Sequence, residues 1–159
     1  MQQNINIVNK KAKFKYFLNK KYIAGLVLNG SEIKSIRLEN VNLESSYCSF
    51  NNDELYVNNI IIKPYENSSQ FNKNRTQIKL LLNRIELNKL KKETNNVGVT
   101  IIPYKIFINE KGIAKIEIYT SKGKKNFDKR EVIKKRENKI NLDRLKKISN
   151  ICSLKEEQN

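Results

Sequence analysis

The chain has 159 residues, with 32 Lys/Arg against 16 Asp/Glu, a net charge of +16 and no histidine. That length suits one compact domain plus an extension, burying roughly two-thirds of the surface the unfolded chain exposes. Without His there is no Ser-His-Asp arrangement, no imidazole base and no His-containing metal site, and the charge favours a polyphosphate partner over small acidic metabolites.

In chain order, residues 16–28 read as a strand with a polar interruption at Asn19-Lys20-Lys21. Gly30 punctuates the chain. Ser31 is the expected N-cap of a short helix whose buried side carries Ile33 and Ile36. Lys34 and Arg37 share its other face. Residues 41–50 and 55–62 read as two strands joined by a turn at Asn51-Asn52-Asp53-Glu54. Pro64 ends the second, and residues 65–76 are polar and loop-like. Ile78 to Leu82 is a short apolar run, expected as a buried strand. Asn83 followed by Glu86 forms a capping-box pattern that predicts a helix to about Asn95, with Gly98 as its stop signal. Residues 99–108 and 113–121 make a final hairpin. In its second strand Ala114, Ile116, Ile118 and Thr120 lie on one face and Ile113, Lys115, Glu117 and Tyr119 on the other. Roughly six strands and two or more helices in irregular order predict a mainly β fold, a small closed antiparallel barrel with helices filling its gaps.

The charge is uneven. From Lys122 to Lys147 twelve Lys/Arg face four Asp/Glu, net +8 in 26 residues, whereas the first 120 residues carry net +9. The expected division is therefore a domain over residues 1–121 and a basic tail over 122–159. The tail has no sustained apolar stripe, although Leu145, Ile148 and Ile151 share a helical face. Free in solution it is expected to be disordered, becoming helical once phosphates neutralise its self-repulsion.

Nucleotide-enzyme motifs fail residue by residue. At Gly123-Lys124 a phosphate-cradling loop requires glycine where Ile118 stands and Ser/Thr where Lys125 stands, and no G-x-G-x-x-G occurs. Asp53, Glu54 and Glu66 are the carboxylates from which a Mg²⁺-dependent ribonuclease would be built. The plainer reading makes them turn and loop charges. Cys48 and Cys152 lack C-x-x-C spacing and read as free thiols of a reducing compartment. No apolar run approaches the ~18 residues of a membrane span, and the first 15 residues lack the apolar segment of a secretory signal. The expected location is the cytoplasm. Nucleic-acid binding has direct support: Phe14, Tyr16, Phe17 and Tyr22 interleave with Lys10, Lys11, Lys13, Lys15, Lys20 and Lys21, a pattern of rings for bases and cations for backbone. Phe14, flanked by Lys13 and Lys15, is expected to be the ring least committed to the core.

Several segments, in this order and spacing, resemble the SsrA-binding protein family, also called small protein B. They are Asn9 to Lys13, Ala24 to Leu28, Gly30 to Arg37, Asn42 to Tyr47, Pro64-Tyr65-Glu66, Arg75-Thr76, Leu80 to Asn83 and Gly123 to Arg130. The resemblance implies an oligonucleotide-binding-type barrel and a non-enzymatic adaptor without cofactor or metal. Its partners would be transfer-messenger RNA, small-subunit ribosomal RNA and the stalled 70S ribosome; free, it would be a monomer. In that reading the tail probes an empty messenger channel. The RNA-binding residues it implies are Lys11, Lys13, Phe14, Lys34, Arg37, Arg75, Leu81, Lys115, Lys124, Lys125, Lys129 and Arg130. Tail contacts to the ribosome fall on Lys134, Lys135, Arg136, Lys139 and Arg144. Three positions depart from the family pattern: Ile23 stands where an acidic residue precedes Ala-Gly, Phe14 where His is frequent, and Phe127 where Tyr or His is frequent. The residues alone also admit a generic ribosomal-RNA-binding barrel.

Overall fold

A computed structural model describes residues 5–65, 75 and 77–156, with side chains to residue 146. They divide into two units, ending and beginning at Gly123 and Lys124.

Among the described residues the first unit has nine strands and three helices: β1 (Asn6–Val8), α1 (Ala12–Lys15), β2 (Tyr16–Leu26), α2 (Gly30–Arg37), β3 (Val41–Asn42), β4 (Tyr47–Asn51), β5 (Glu54–Asn58), β6 (Ile61–Ile62), β7 (Gln77–Leu81), α3 (Arg84–Thr94), β8 (Val99–Ile108) and β9 (Ala114–Gly123). The main sheet runs β1-β8-β4-β5-β7-β2-β9, and β8 also pairs with β9. Six strands thus close a ring of antiparallel hydrogen-bonded neighbours, with β1 added along β8. Closure removes the unpaired edges that an open sheet of these strands would present. Two irregularities bend the long strands: β2 shifts register between Leu18 and Lys21, and β8 between Pro103 and Lys105. Such bulges sharpen local twist, and Pro103 is tolerated beside one because no ladder donor is needed there.

Alternation fills the ring. Leu55, Val57, Ile78, Leu80, Ile101, Ile106, Ile116 and Ile118 form its core, joined by Ala24, Leu43 and Cys48. Along β9, Ala114, Ile116, Ile118 and Thr120 are buried while Lys115, Glu117 and Tyr119 are half-buried, the period-two pattern of a strand with one inward face. Since β2 and β7 are antiparallel neighbours, α2 leaves β2 and α3 leaves β7 toward opposite ends of the ring. Each helix buries one large apolar side chain in the common core, Ile36 from α2 and Leu90 from α3.

Local chemistry explains the boundaries. Helix α2 starts two residues earlier than expected. Asn29, not Ser31, is its N-cap, paired in a capping box with Glu32, because the Glu32 carboxylate accepts the Asn29 N–H at 2.7 Å. Helix α3 carries the expected box of Asn83 and Glu86. The two long central strands expected over 41–50 and 55–62 are each divided. β3 and β6 peel away as a separate two-stranded ribbon, while β4 and β5 join the ring. The β4–β5 turn holds Asn52 and Asp53 at φ of 47° and 62°, the left-handed pair that a two-residue hairpin requires. Gly112, at φ 75°, fills the corresponding need in the β8–β9 turn.

The second unit is one helix, α4 (Asn126–Glu156). Its first turn is held by Asp128, whose carboxylate accepts the Lys125 N–H at 3.0 Å. No helix among the described residues is long and apolar enough to cross a membrane.

Candidate nucleic-acid interface

The outer face of β9 organises the first unit's charge. Lys115 pairs across the sheet with Gly25 of β2 on one side and Phe107 of β8 on the other; Gly25 in turn pairs with Leu81 of β7. Phe107, Lys115, Gly25 and Leu81 therefore form one transverse row. Glycine matters at this place: a Cβ on Gly25 would lie 3.3 Å from the Leu81 Cβ, so only glycine lets Leu81 lean across β2 undisturbed. Leu81 is 54 % exposed, on the far side of Gly25 from Lys115 in the same row. The sequence places Leu81 and Lys115 far apart; the ring brings them to a common neighbour. The row behind holds Ile23, Glu117 and Lys105. There the Glu117 carboxylate accepts from Lys21 at 3.4 Å, so an acidic group sits across the strand from Ile23.

At the other end of β2, α1 presents Lys11, Lys13 and Lys15. Its position is set by Asn9, which is buried. Its amide donates to the Leu43 carbonyl at 2.8 Å and its Oδ1 accepts the Ala12 N–H at 3.2 Å. Lys11 pairs with Glu44 at 2.6 Å. The Lys13 ammonium lies 5.1 Å from the centre of the Tyr104 ring. The interaction with the Tyr104 side chain raises the Lys13 pKa above its ordinary value, so the group stays cationic through the physiological range. Phe14 is half-buried within α1, whereas Phe17 of β2 is 47 % exposed. The ring least committed to the core is therefore Phe17. Strand alternation turns Phe17 outward, while a one-turn helix folds Phe14 partly inward.

The remaining residues divide by environment. Lys34 and Arg37 are exposed on α2, Lys34 over the Tyr65 ring at 5.3 Å. Arg75 directs all its donor groups into the first unit. Nη1 donates to Glu32 at 2.7 Å, Nη2 to the Val27 carbonyl at 2.8 Å and Nε to the Gln77 carbonyl at 3.3 Å. Lys125, Arg130, Lys134, Lys135, Arg136, Lys139 and Arg144 are exposed in the second unit, with Lys124 and Lys129 half-buried.

Two of the carboxylates considered for metal chemistry have other partners. Asp53 is bound by Lys91, which lowers its pKa, and Glu54 is bound by Lys79 and the Tyr56 hydroxyl, which lower its own. Glu66 lies outside the described residues. No group of three or more metal-ligating side chains occurs among the described residues. Cys48 is a buried free thiol whose pKa burial pushes up, which leaves it chemically inert. Sequence reasoning missed Phe107 and Tyr104 as outer-face rings and placed Tyr119 on the Lys115 face without giving it a role. The signal was present in the alternation of residues 113–121, which puts Tyr119 on the same side as Lys115.

A closed antiparallel β-ring with a cationic, ring-bearing outer face and a separate basic helix defines a class: small β proteins suited to polyanionic chains. The family model described as "SmpB protein" matches residues 6–148, and the chain belongs to that family. Among curated relatives, an SsrA-binding protein of Christiangramia forsetii is 53 % identical over 148 residues, covering 92 % of this chain and 94 % of the relative. One of Thermoanaerobacter pseudethanolicus is 44 % identical over 147 residues, covering 90 % and 93 %. A solved chain described under "tmRNA-SmpB: a journey to the center of the bacterial ribosome" superposes with a TM-score of 0.66 at 36 % identity, covering 81 % of this chain and 94 % of that one.

Proposed function

We propose that this chain is a non-enzymatic adaptor that binds transfer-messenger RNA and delivers it to stalled ribosomes in the cytoplasm. Family membership across residues 6–148 carries the reading. The transverse row of the first unit gives it a physical basis. Leu81 and Phe107 supply apolar contact to ribose and base, and Lys115 supplies a phosphate contact in the same row. The lysines of α1, Lys34 and Arg37 extend the cationic surface along the ring. In this reading no bond is made or broken by the protein, consistent with the ion-paired state of Asp53 and Glu54.

The tail has a different task. A strongly basic segment binds poorly without confinement and firmly inside a channel walled by phosphates, where many charge contacts offset its ordering cost. An occupied messenger channel excludes it by volume. Lys134, Lys135, Arg136, Lys139 and Arg144 are the cations assigned to those walls, with Lys124, Lys125, Lys129 and Arg130 at the junction. The discrimination between vacant and occupied ribosomes then needs no reading of sequence.

The test is capture of RNA by the full chain at near-physiological ionic strength, followed by sequencing of the crosslinked species. One dominant transfer-messenger RNA is the expected result. Ribosomal RNA as the sole captured species overturns the adaptor reading in favour of a general ribosome-associated protein.

A further inference from the structure

The outer face of β8 and β9 carries a ring pair that the contacts above do not use. Tyr104 and Tyr119 meet edge to face, with centroids 5.5 Å apart and planes at 87°. Tyr104 is the extra residue of the β8 bulge, since Pro103 pairs with Ile118 and Lys105 with Glu117. Its carbonyl accepts the Asn9 N–H at 2.7 Å, which ties the bulge to the segment leading into α1. Both rings are half-buried, and neither belongs to the hydrophobic core or to the side chains packed against it. The core therefore does not account for the pair.

The position of the rings is informative. Lys21, whose ammonium pairs with Glu117 at 3.4 Å, is the cross-strand neighbour of Tyr119 on β2, and Lys13 lies against Tyr104. Four residues back along β9, about 13 Å at strand rise, is Lys115 of the transverse row. Next to that row, the Lys105 ammonium lies 5.3 Å from the Phe107 ring. Rings thus stand between two groups of cations on one side of the sheet. Aromatic surface between ammonium groups suits an unpaired nucleotide, with the base on the ring and its flanking phosphates on the lysines.

We propose that Tyr104 and Tyr119 form a stacking platform for an unpaired base of the bound RNA, lying between the Leu81–Lys115 row and the lysines of α1. This rests on the RNA-binding reading above and adds two residues and a contact type to it. Tyr119 and Tyr104 act by ring surface, so their contribution is insensitive to salt, whereas that of Lys13 is not.

The experiment titrates transfer-messenger RNA against the full chain over a range of salt. Tyr119→Leu and Tyr104→Leu should each weaken binding about tenfold, with the slope of log affinity against log salt unchanged. Tyr119→Phe should bind like the parent, and Lys13→Ala should lower the slope by about one. Thermal melting of each variant reports whether it is folded. Ultraviolet crosslinking of the unsubstituted complex gives a readout independent of substitution, and the crosslinked peptides should contain Tyr104 or Tyr119. Leucine variants that bind like the parent, a loss accompanied by a shallower slope, or crosslinks confined to other peptides overturn the platform. Failure of the parent chain itself to bind the RNA sinks the adaptor reading and this inference together; the other failures leave the adaptor reading standing.

Discussion

Arg75 illustrates how environment changes the meaning of a residue. In the sequence it stands beside Thr76 in a polar segment, with the look of a cation awaiting a phosphate. In the structure its guanidinium joins the capping box of α2 to the β2–β7 seam, and the Glu32 side chain it meets is only 8 % exposed. Removing the arginine would leave that carboxylate and the Val27 carbonyl short of donors. Arg75→Ala should therefore lower unfolding stability by about 1–3 kcal/mol, the cost of a buried carboxylate that loses its charged donor, while leaving the salt slope of RNA binding unchanged. Arg75→Lys should rescue little, because a point ammonium does not reproduce a planar fork reaching three acceptors. Chemical denaturation and salt-dependent titration of the same variants check both halves. A slope shallower by about one would instead make Arg75 a phosphate contact. Phe14 and Phe17 carry the same lesson in reverse. Flanking lysines suggest exposure, but exposure is decided by which element each ring occupies.

Elements were legible wherever short-range chemistry sets them. The Asn83–Glu86 box, the β8–β9 hairpin and the alternation of β9 each depend on residues a few positions apart, and each stands where the pattern puts it. The division of residues 41–62 into four strands was not legible. Ribbon and ring draw on the same β-forming residues, and only the choice of partner separates them. The docking of α3 is likewise tertiary. Glu93 accepts from Lys20 at 2.6 Å and from the Tyr22 hydroxyl at 3.3 Å, fixing the helix to β2. The hydrogen bond from Lys20, ahead of the opposing effect of burial, holds the Glu93 carboxyl below its ordinary 4.5. A depressed carboxylate adds stability above its unfolded value and loses it as pH falls through the folded value. Amide-exchange protection of α3 should thus be flat from neutral pH down to about 4.5 and then decline with further acid. Glu93→Gln should be less protected at neutral pH and converge with the parent in acid. Equal protection of parent and variant at neutral pH would show that the pair does not hold the helix.

At the scale of the whole molecule, the division at Gly123 separates two kinds of physics. The ring unit is held by a closed hydrogen-bond circuit around an apolar core. The second unit is helix α4, rich in Lys and Arg and without a sustained apolar stripe. Truncation after Arg130 should leave affinity for transfer-messenger RNA within about threefold, since most phosphate contacts remain, and abolish rescue of stalled ribosomes. Parallel loss of both activities would refute the separation of labour between the units. Composition, the charge step at residue 122, the capping signals and the strand alternation were all determined by the sequence itself, because each is a property of neighbours along the chain. Ring closure, the row of Phe107, Lys115, Gly25 and Leu81, the internal role of Arg75 and the Tyr104–Tyr119 pair were decided only by tertiary structure. Register between distant strands depends on how the whole core packs, and no local preference encodes which outward residues become neighbours.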